Sequence, residues 1–163
     1  FSLKAGGTQN VDDSERIFGY IKPQIVFYNA LTQNRKLVLK TDVRGQFNIG
    51  NNFEFYQGAQ LGSDTGLRAY RDERFTGRSA AVASADLRYS FNKFKTALLP
   101  IQLGIFGGYD VGRVWVPNDT SDVFHNSYGG GFWVNTADLL SGTFNVFTGE
   151  EGVRFTFGVA FSM

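Results

Sequence analysis

The side chains with the clearest chemical potential in this chain are one arginine and two aspartates. Asp86 and Asp110 each lie in a segment where apolar and polar residues alternate, and both fall on the polar side. Arg68 lies in a long polar link, residues 51–79. Two carboxylates and a planar guanidinium that are partly shielded from water form charge-assisted, bidentate hydrogen bonds. If the link folds back over the polar side, this pairing would hold it there. Otherwise Arg68 is a solvated loop residue and both aspartates face water.

The residue inventory argues against other kinds of site. His125 is the only histidine, so neither a histidine-based metal cluster nor a Ser-His-Asp triad can be assembled within the chain. Cysteine is absent, which removes disulfides and thiolate chemistry. The glycine-rich stretch 104–112 lacks the spacing of a nucleotide-binding fingerprint, and no helix pattern follows it. We therefore expect no metal, no cofactor and no catalytic residue, and we assign His125 to a loop.

The segments that carry the two aspartates belong to a repeated strand pattern, which is clearest at residues 153–163. There every second residue is large and apolar, and those between are small, polar or charged. Successive side chains of a strand point to opposite faces, so this segment has one apolar and one polar face. Strands of soluble proteins usually end after about five or six residues. A longer alternation with this many aromatic residues is more typical of a strand that crosses a bilayer.

The same alternation recurs along the chain. It is strong in residues 37–49, 81–91 and 101–115, weaker in 20–29, 128–134 and 143–147, and truncated in 1–7. In the first of these segments Lys40, Asp42 and Arg44 share the polar side. Three adjacent charges are costly in a packed core but are accepted by a water-filled interior. The sequence therefore predicts an all-β fold of about eight antiparallel strands.

The composition agrees with strands that are wet on one side only. Glycine supplies 20 of 163 residues and phenylalanine 17, yet the mean hydropathy is only -0.18. No apolar run approaches the ~20 residues of a transmembrane helix. The formal net charge of +1 gives no argument for nucleic acid as a partner. Four aromatic residues are candidates for girdles at the membrane interfaces, with ordinary packing as the alternative: Tyr89, Trp115, Tyr128 and Trp133.

The links between the predicted strands alternate in length. Short links span residues 30–36, 92–99 and 135–140, and long polar links span 8–18, 51–79 and 117–126. Bacterial outer-membrane barrels have short periplasmic turns and long extracellular loops. With a periplasmic C-terminus, all three long links fall on the outer side, together with the tight turn at 148–152. This distribution of long and short links between the two sides predicts an antiparallel transmembrane β-barrel in the outer membrane of a Gram-negative bacterium.

The link 51–79 also carries the most specific motif of the chain. Its centre is Leu67-Arg68-Ala69-Tyr70, followed by Arg71, Asp72, Arg74, Phe75 and Gly77. Further motifs are Ala85-Asp86-Leu87-Arg88, the stretches 106–115 and 127–133, and Thr156-x-Gly158-x-x-Phe161-x-Met163. Together these motifs, over residues 50–163, resemble the BamA/TamA superfamily of outer-membrane assembly and translocation barrels, the bacterial surface antigen family. Ala69 stands where that family usually has glycine, Asp86 where glutamate is commoner, and Met163 where phenylalanine is usual.

The resemblance implies a barrel of sixteen strands, of which residues 1–163 form the C-terminal half, with the link 51–79 folded toward the lumen. It implies that the loop is held in the lumen by Arg68, Asp86, Asp110 and Tyr70. It also implies a C-terminal targeting signal, beside a lateral seam, made by Thr156, Gly158, Phe161 and Met163.

Three arrangements of the strands remain open at this stage. Eight strands can close a barrel, but side chains alone fill its interior, and a tucked loop does not fit. A half-barrel alone in lipid leaves the backbone groups of its two edges unsatisfied. We favour a C-terminal piece of a longer chain. The alternatives are a closed eight-stranded barrel with the long loop outside, and a half-barrel that dimerises.

The sequence leaves three hypotheses about function. The resemblance implies a barrel that inserts or translocates proteins through a lateral seam next to the C-terminal strand. Its partners would be outer-membrane lipid, client β-barrel or translocated proteins, and accessory assembly subunits. The first alternative is a barrel that anchors a larger outer-membrane enzyme, such as a phosphoesterase or lipase. The second is a soluble ligand-binding β-protein, against which the apolar outward faces argue. In none of the three is this segment itself an enzyme.

Overall fold

The computed structural model describes residues 1–9, 17–50, 57–96, 100–117, 122–136 and 140–161. The strands are β1 (Ser2–Gln9), β2 (Ile17–Ala30), β3 (Leu37–Ile49), β4 (Ala59–Leu61), β5 (Phe75–Gly77), β6 (Ser79–Ser90), β7 (Phe94–Lys95), β8 (Pro100–Trp115), β9 (His125–Thr136), β10 (Leu140–Gly149) and β11 (Gly152–Phe161). In this part of the chain no helix is long and apolar enough to cross a membrane.

The eight long strands form one sheet in the order β1-β2-β3-β6-β8-β9-β10-β11, each antiparallel to its neighbour. This confirms the predicted all-β antiparallel fold. β7 pairs with the start of β8, and β4 and β5 form a separate two-stranded sheet. Among the described residues no pairing joins β1 to β11, so the sheet is open and is not a closed eight-stranded barrel.

Each of the eight predicted segments overlaps one of the long strands, and β3 has the predicted bounds. Three details were wrong. The link 51–79 contains β4 and β5, and the short link 92–99 contains β7. His125 begins β9 instead of lying in a loop. Its backbone pairs with Gly112 of β8, so the strand starts before the alternating pattern of residues 128–134. Residues 51–56, and the parts of the other links outside the ranges above, lie outside the described residues.

The two faces of the main sheet differ in character. Directly opposite residues of paired strands share a face, so one outward row crosses five strands: Tyr89, Ile105, Phe132, Phe144 and Phe157. We call this side the apolar face. The opposite side carries Asp42, Asp86, Asp110, Ser127 and Phe147, and we call it the loop-covered face because the link 57–79 packs on it.

The four candidate girdle residues divide between these faces. Tyr89 and Tyr128 are exposed on the apolar face, and Trp115 is exposed at the end of β8. Trp133 is buried on the loop-covered face, where the guanidinium of Arg88 lies 5.8 Å from its ring centroid. A girdle role is therefore wrong for Trp133. It is separated from Ser127 by an even number of positions in β9, so both side chains point to the loop-covered face.

The buried core lies between the link and the loop-covered face. β4 packs against β3, β6 and β8, and β5 packs against β8. The core consists of five link residues and three residues of the main sheet: Ala59, Leu61, Leu67, Ala69, Tyr70, Ala80, Val82 and Phe147. Burial of these apolar side chains fixes the link on the sheet, and so positions the polar residues between them.

Candidate functional site

A tight turn in the link sets the position of Arg68. The Leu67 N–H donates to the Gly62 carbonyl at 2.8 Å, and the Thr65 hydroxyl donates to the same carbonyl at 3.0 Å. Gly66 has a φ of 119°, in the region that residues with a Cβ rarely adopt. Leu67 follows at 0% exposure, fully inside the core. The turn therefore delivers Arg68 to the surface of the sheet with its backbone already anchored.

The guanidinium of Arg68 lies between Asp110 and Asp86. Its Nε and Nη2 donate to Asp110 Oδ1 at 3.1 and 2.6 Å, and Nη2 also donates to Asp86 Oδ1 at 2.6 Å. The backbone N–H of Arg68 and the hydroxyl of Ser127 donate to Asp110 Oδ2 at 3.1 and 2.6 Å. Both oxygens of Asp110, which is 0% exposed, are therefore hydrogen-bonded. The three residues singled out in the sequence lie in direct contact.

The electrostatics of Arg68 favour its charged form. Burial disfavours the charge, but the hydrogen bonds and negative charge of Asp110, followed by those of Asp86, outweigh this and raise the pKa of Arg68 above its ordinary value. Removing one partner of such a pair leaves a buried charge without compensation, which is strongly destabilising. The arrangement is therefore an ionic clamp that holds the link on β6 and β8.

An aromatic ring that the sequence analysis did not single out completes the clamp. The Arg68 guanidinium carbon lies 3.9 Å from the ring centroid of Phe147 and 6.0 Å from that of Phe106. Phe147 lies in β10 and is 1% exposed. A cation over an aromatic face is attracted by the ring quadrupole, more strongly when both are shielded from water. The one signal available in the sequence was a phenylalanine at a polar-side position of its strand.

Gly108 is a second contributor that the sequence analysis missed. A Cβ built at this position would lie 2.6 Å from Arg68 Nη2 and would collide with Asp86 Oδ1. At Gly107, on the opposite face, the nearest atom to such a Cβ is the Gly129 carbonyl oxygen at 3.8 Å. Of these two glycines, only Gly108 therefore makes room for the ion pair.

Tyr70 was expected to hold the loop together with Arg68, and it contacts a different part of the sheet from the one that Arg68 contacts. It is 0% exposed, its ring lies 5.4 Å from that of Phe75 and 5.8 Å from that of His125, and its hydroxyl donates to Glu150 at 3.4 Å. Burial and the nearby charge of Glu150 raise the pKa of Tyr70. Tyr70 therefore connects the link to the β10–β11 turn and does not contact the two aspartates in the described hydrogen bonds.

Thr156, Gly158 and Phe161 of the expected targeting signal lie in β11, away from the clamp. Thr156 and Gly158 pair with Asn145 and Thr143 of β10, while Phe161 is 75% exposed on the apolar face. A Cβ at Gly158 would meet no atom within 4 Å. Met163 lies outside the described residues. Within those residues β11 pairs with β10 and with no strand on its other side.

The described residues contain no group of three or more His, Cys, Asp or Glu side chains that could hold a metal ion. His125 stacks on Phe75 with ring centroids 3.9 Å apart, and its Nδ1 lies 3.4 Å from a carboxylate oxygen of Glu150.

The fold and site define an all-β antiparallel protein whose own link is clamped to one face through a buried ion pair. Comparison of the chain with protein-family models, with curated proteins and with solved structures finds no match.

Proposed function

We propose that the chain is the C-terminal half of a sixteen-stranded outer-membrane barrel of the assembly and translocation superfamily. In this proposal the apolar face meets lipid and the loop-covered face lines the lumen. The support is the concentration of exposed large apolar side chains on one face, where Phe155, Phe157 and Phe161 are 67%, 72% and 75% exposed. Proteins in water rarely expose so continuous an apolar surface. β2 and β8, with 14 and 16 residues, exceed the ~9–11 needed to cross a bilayer.

The observation that carries the functional part of the proposal is the one-sided pairing of β11. Within the described residues β10 pairs with it along its length, and its other edge has no strand partner. An open edge is a template onto which an extended segment can add as a new strand. We therefore propose a lateral seam at this edge, closed by the first strands of the complete barrel and opened to admit a client protein.

The first experiment tests the membrane barrel. The full-length protein is extracted from Gram-negative outer membranes, and its electrophoretic mobility is compared with and without heating. A folded form that changes mobility on heating, and that needs detergent to remain in solution, is the expected result. A full-length protein that fractionates with soluble proteins would overturn the proposal, because the apolar face would then have to be covered by something other than lipid.

A second experiment tests the seam. A photo-crosslinking residue replaces Ala160 on β11, and the matched control replaces Ser141, which lies directly opposite on β10 with a strand on each side. We expect adducts with newly made outer-membrane proteins from position 160 and far fewer from position 141. If neither position yields client adducts, the seam is excluded and the barrel is left as a membrane anchor for a larger outer-membrane enzyme.

A further inference from the structure

A second set of contacts joins the link to the final hairpin, which consists of β10 and β11. Arg154 of β11 donates from Nη1 to the Tyr70 carbonyl at 2.8 Å and from Nη2 to Asp72 at 3.2 Å. Arg74 forms an ion pair with Glu151 at the hairpin turn. Three alternate residues of the link, Tyr70, Asp72 and Arg74, therefore contact one end of the hairpin.

Close packing accompanies these polar contacts. A Cβ built at Gly149 would lie 3.1 Å from the Cβ of Ala69 and 3.3 Å from Cε2 of Tyr70, which is tighter than most real Cβ contacts. Tyr70 is fully buried, and its hydroxyl donates to Glu150. The link therefore lies directly against the backbone of the hairpin, and the ion pairs fix a surface that is already in contact.

The contacts are confined to one end of β11. Arg154 is half-buried, whereas every described residue from 155 to 161 is exposed. At Gly158 an added Cβ would meet nothing within 4 Å. The beginning of β11 is therefore held from two sides, by β10 and by the link, and the remainder is held by β10 alone within the described residues.

We propose that the link is a brace between the two arginine sites, and that it sets the direction in which β11 separates. Arg68 fixes one end of the brace on β6 and β8, and Arg154 ties the other end to β11. Phe147, which supports Arg68, is directly opposite Arg154 in the β10–β11 ladder, so the two sites adjoin. β11 then separates from its C-terminal end, around residues 158–161, while residues 152–154 stay in place. This inference rests on the proposed seam at β11.

The two arginine sites differ in how far their side chains are exposed to solvent. The side chains of Asp72 and Arg154 are 62% and 29% exposed, whereas that of Asp110 in the first site is fully buried. Exposed ion pairs contribute little individually and are screened by salt, while buried pairs are costly to break. The brace therefore has its stronger end at Arg68 and its weaker end at Arg154, and the weaker end is the one that a single substitution can remove without unfolding the sheet.

The test is hydrogen–deuterium exchange of the full-length protein in detergent, read on peptides that cover 152–156 and 157–161. We expect slower exchange in the first peptide. Arg154→Gln should raise exchange there about fivefold or more, the factor that corresponds to the loss of roughly one such contact. Arg71→Gln, which removes an exposed arginine from the same link, is the matched control and should leave exchange unchanged. Unchanged protection of β6 and β8 would show that the Arg154→Gln protein is folded.

A charge exchange separates the brace from a general loss of stability. Arg74→Glu and Glu151→Arg should each raise exchange at 152–156, and the two together should restore the original rate. If Arg154→Gln exchanges like the unmodified protein, the brace does not exist. Failure of the Ala160 crosslinking with an intact exchange gradient would instead remove the seam and leave the brace. The two proposals can therefore fail separately.

Discussion

Gly108 lies directly beneath the ion pair between Arg68 and Asp86. An added Cβ would come within 2.6 Å of Arg68 Nη2, closer than real Cβ atoms approach other groups. The absence of a side chain at this point of β8 is what lets the guanidinium reach both carboxylates at once. A glycine that could be taken for a site of strand curvature therefore has a specific role in the clamp.

Replacement of this glycine should loosen the loop. We expect Gly108→Ala to displace Arg68 from Asp86 and to lower the free energy of unfolding by about 1–3 kcal/mol, the usual cost of overpacking. Gly107→Ala is the matched control, because its Cβ has room and points to the apolar face. Urea unfolding in detergent and protease digestion of the link measure the two effects. Equal behaviour of both variants would contradict the assigned role of Gly108.

Removal of the guanidinium should have a larger effect. Arg68→Ala leaves the buried carboxylate of Asp110 without its countercharge, so we expect a loss of about 3–5 kcal/mol in unfolding free energy and rapid proteolysis of the link. Arg68→Lys should recover little, because an ammonium group cannot reproduce the forked contacts to two carboxylates. The double variant Arg68→Met/Asp110→Asn should lose less unfolding free energy than Arg68→Ala alone, because position 110 then carries no buried charge. An Arg68→Ala protein with unchanged stability and unchanged protease resistance would exclude the clamp.

The ring beneath Arg68 can be tested without a large change in volume. Phe147→Leu keeps an apolar side chain in the buried site but removes the aromatic face, so we expect a loss of about 0.5–2 kcal/mol from the cation–π contact. Phe144→Leu, on the opposite face of the same strand, should have a smaller effect. The difference between the two variants, measured by unfolding in detergent, should disappear in the Arg68→Met background. A difference that persists there would assign the effect to packing alone.

The strands could be predicted because alternation with a period of two is a strong signal when one face is wet. The signal weakens where small residues replace large ones. In β9 the glycines at 129, 130 and 131 have no hydropathy contrast, so the observed extent of that strand depends on its pairing with β8 and β10. β4 and β5 have three residues each, too few for any periodicity to distinguish them from loop.

The site could be predicted only in part, for a similar reason. Arg68, Asp86 and Asp110 attract notice through their charge and their place in the pattern. Phe147 and Arg154 become partners of the link only once its turn and its path over the sheet are known, and no local sequence feature determines that path. Tyr70 shows the same dependence: its position three residues after Leu67 does not indicate that it faces β10 and not the aspartates.

The environment of the apolar face can be tested on one strand. Phe157→Arg places a charge on the apolar face near the middle of β11, whereas Ala160→Arg places one on the opposite face of the same strand, and both positions are exposed in the structure. If water covers both faces, each change should lower the free energy of unfolding only slightly, and the two decreases should be about equal. In lipid, Phe157→Arg should lower the free energy of unfolding by roughly 2–4 kcal/mol if it lies near the bilayer midplane, and Ala160→Arg should be much milder. Unfolding of the full-length protein from liposomes measures both values. Equal costs for the two variants would show that lipid does not cover the apolar face.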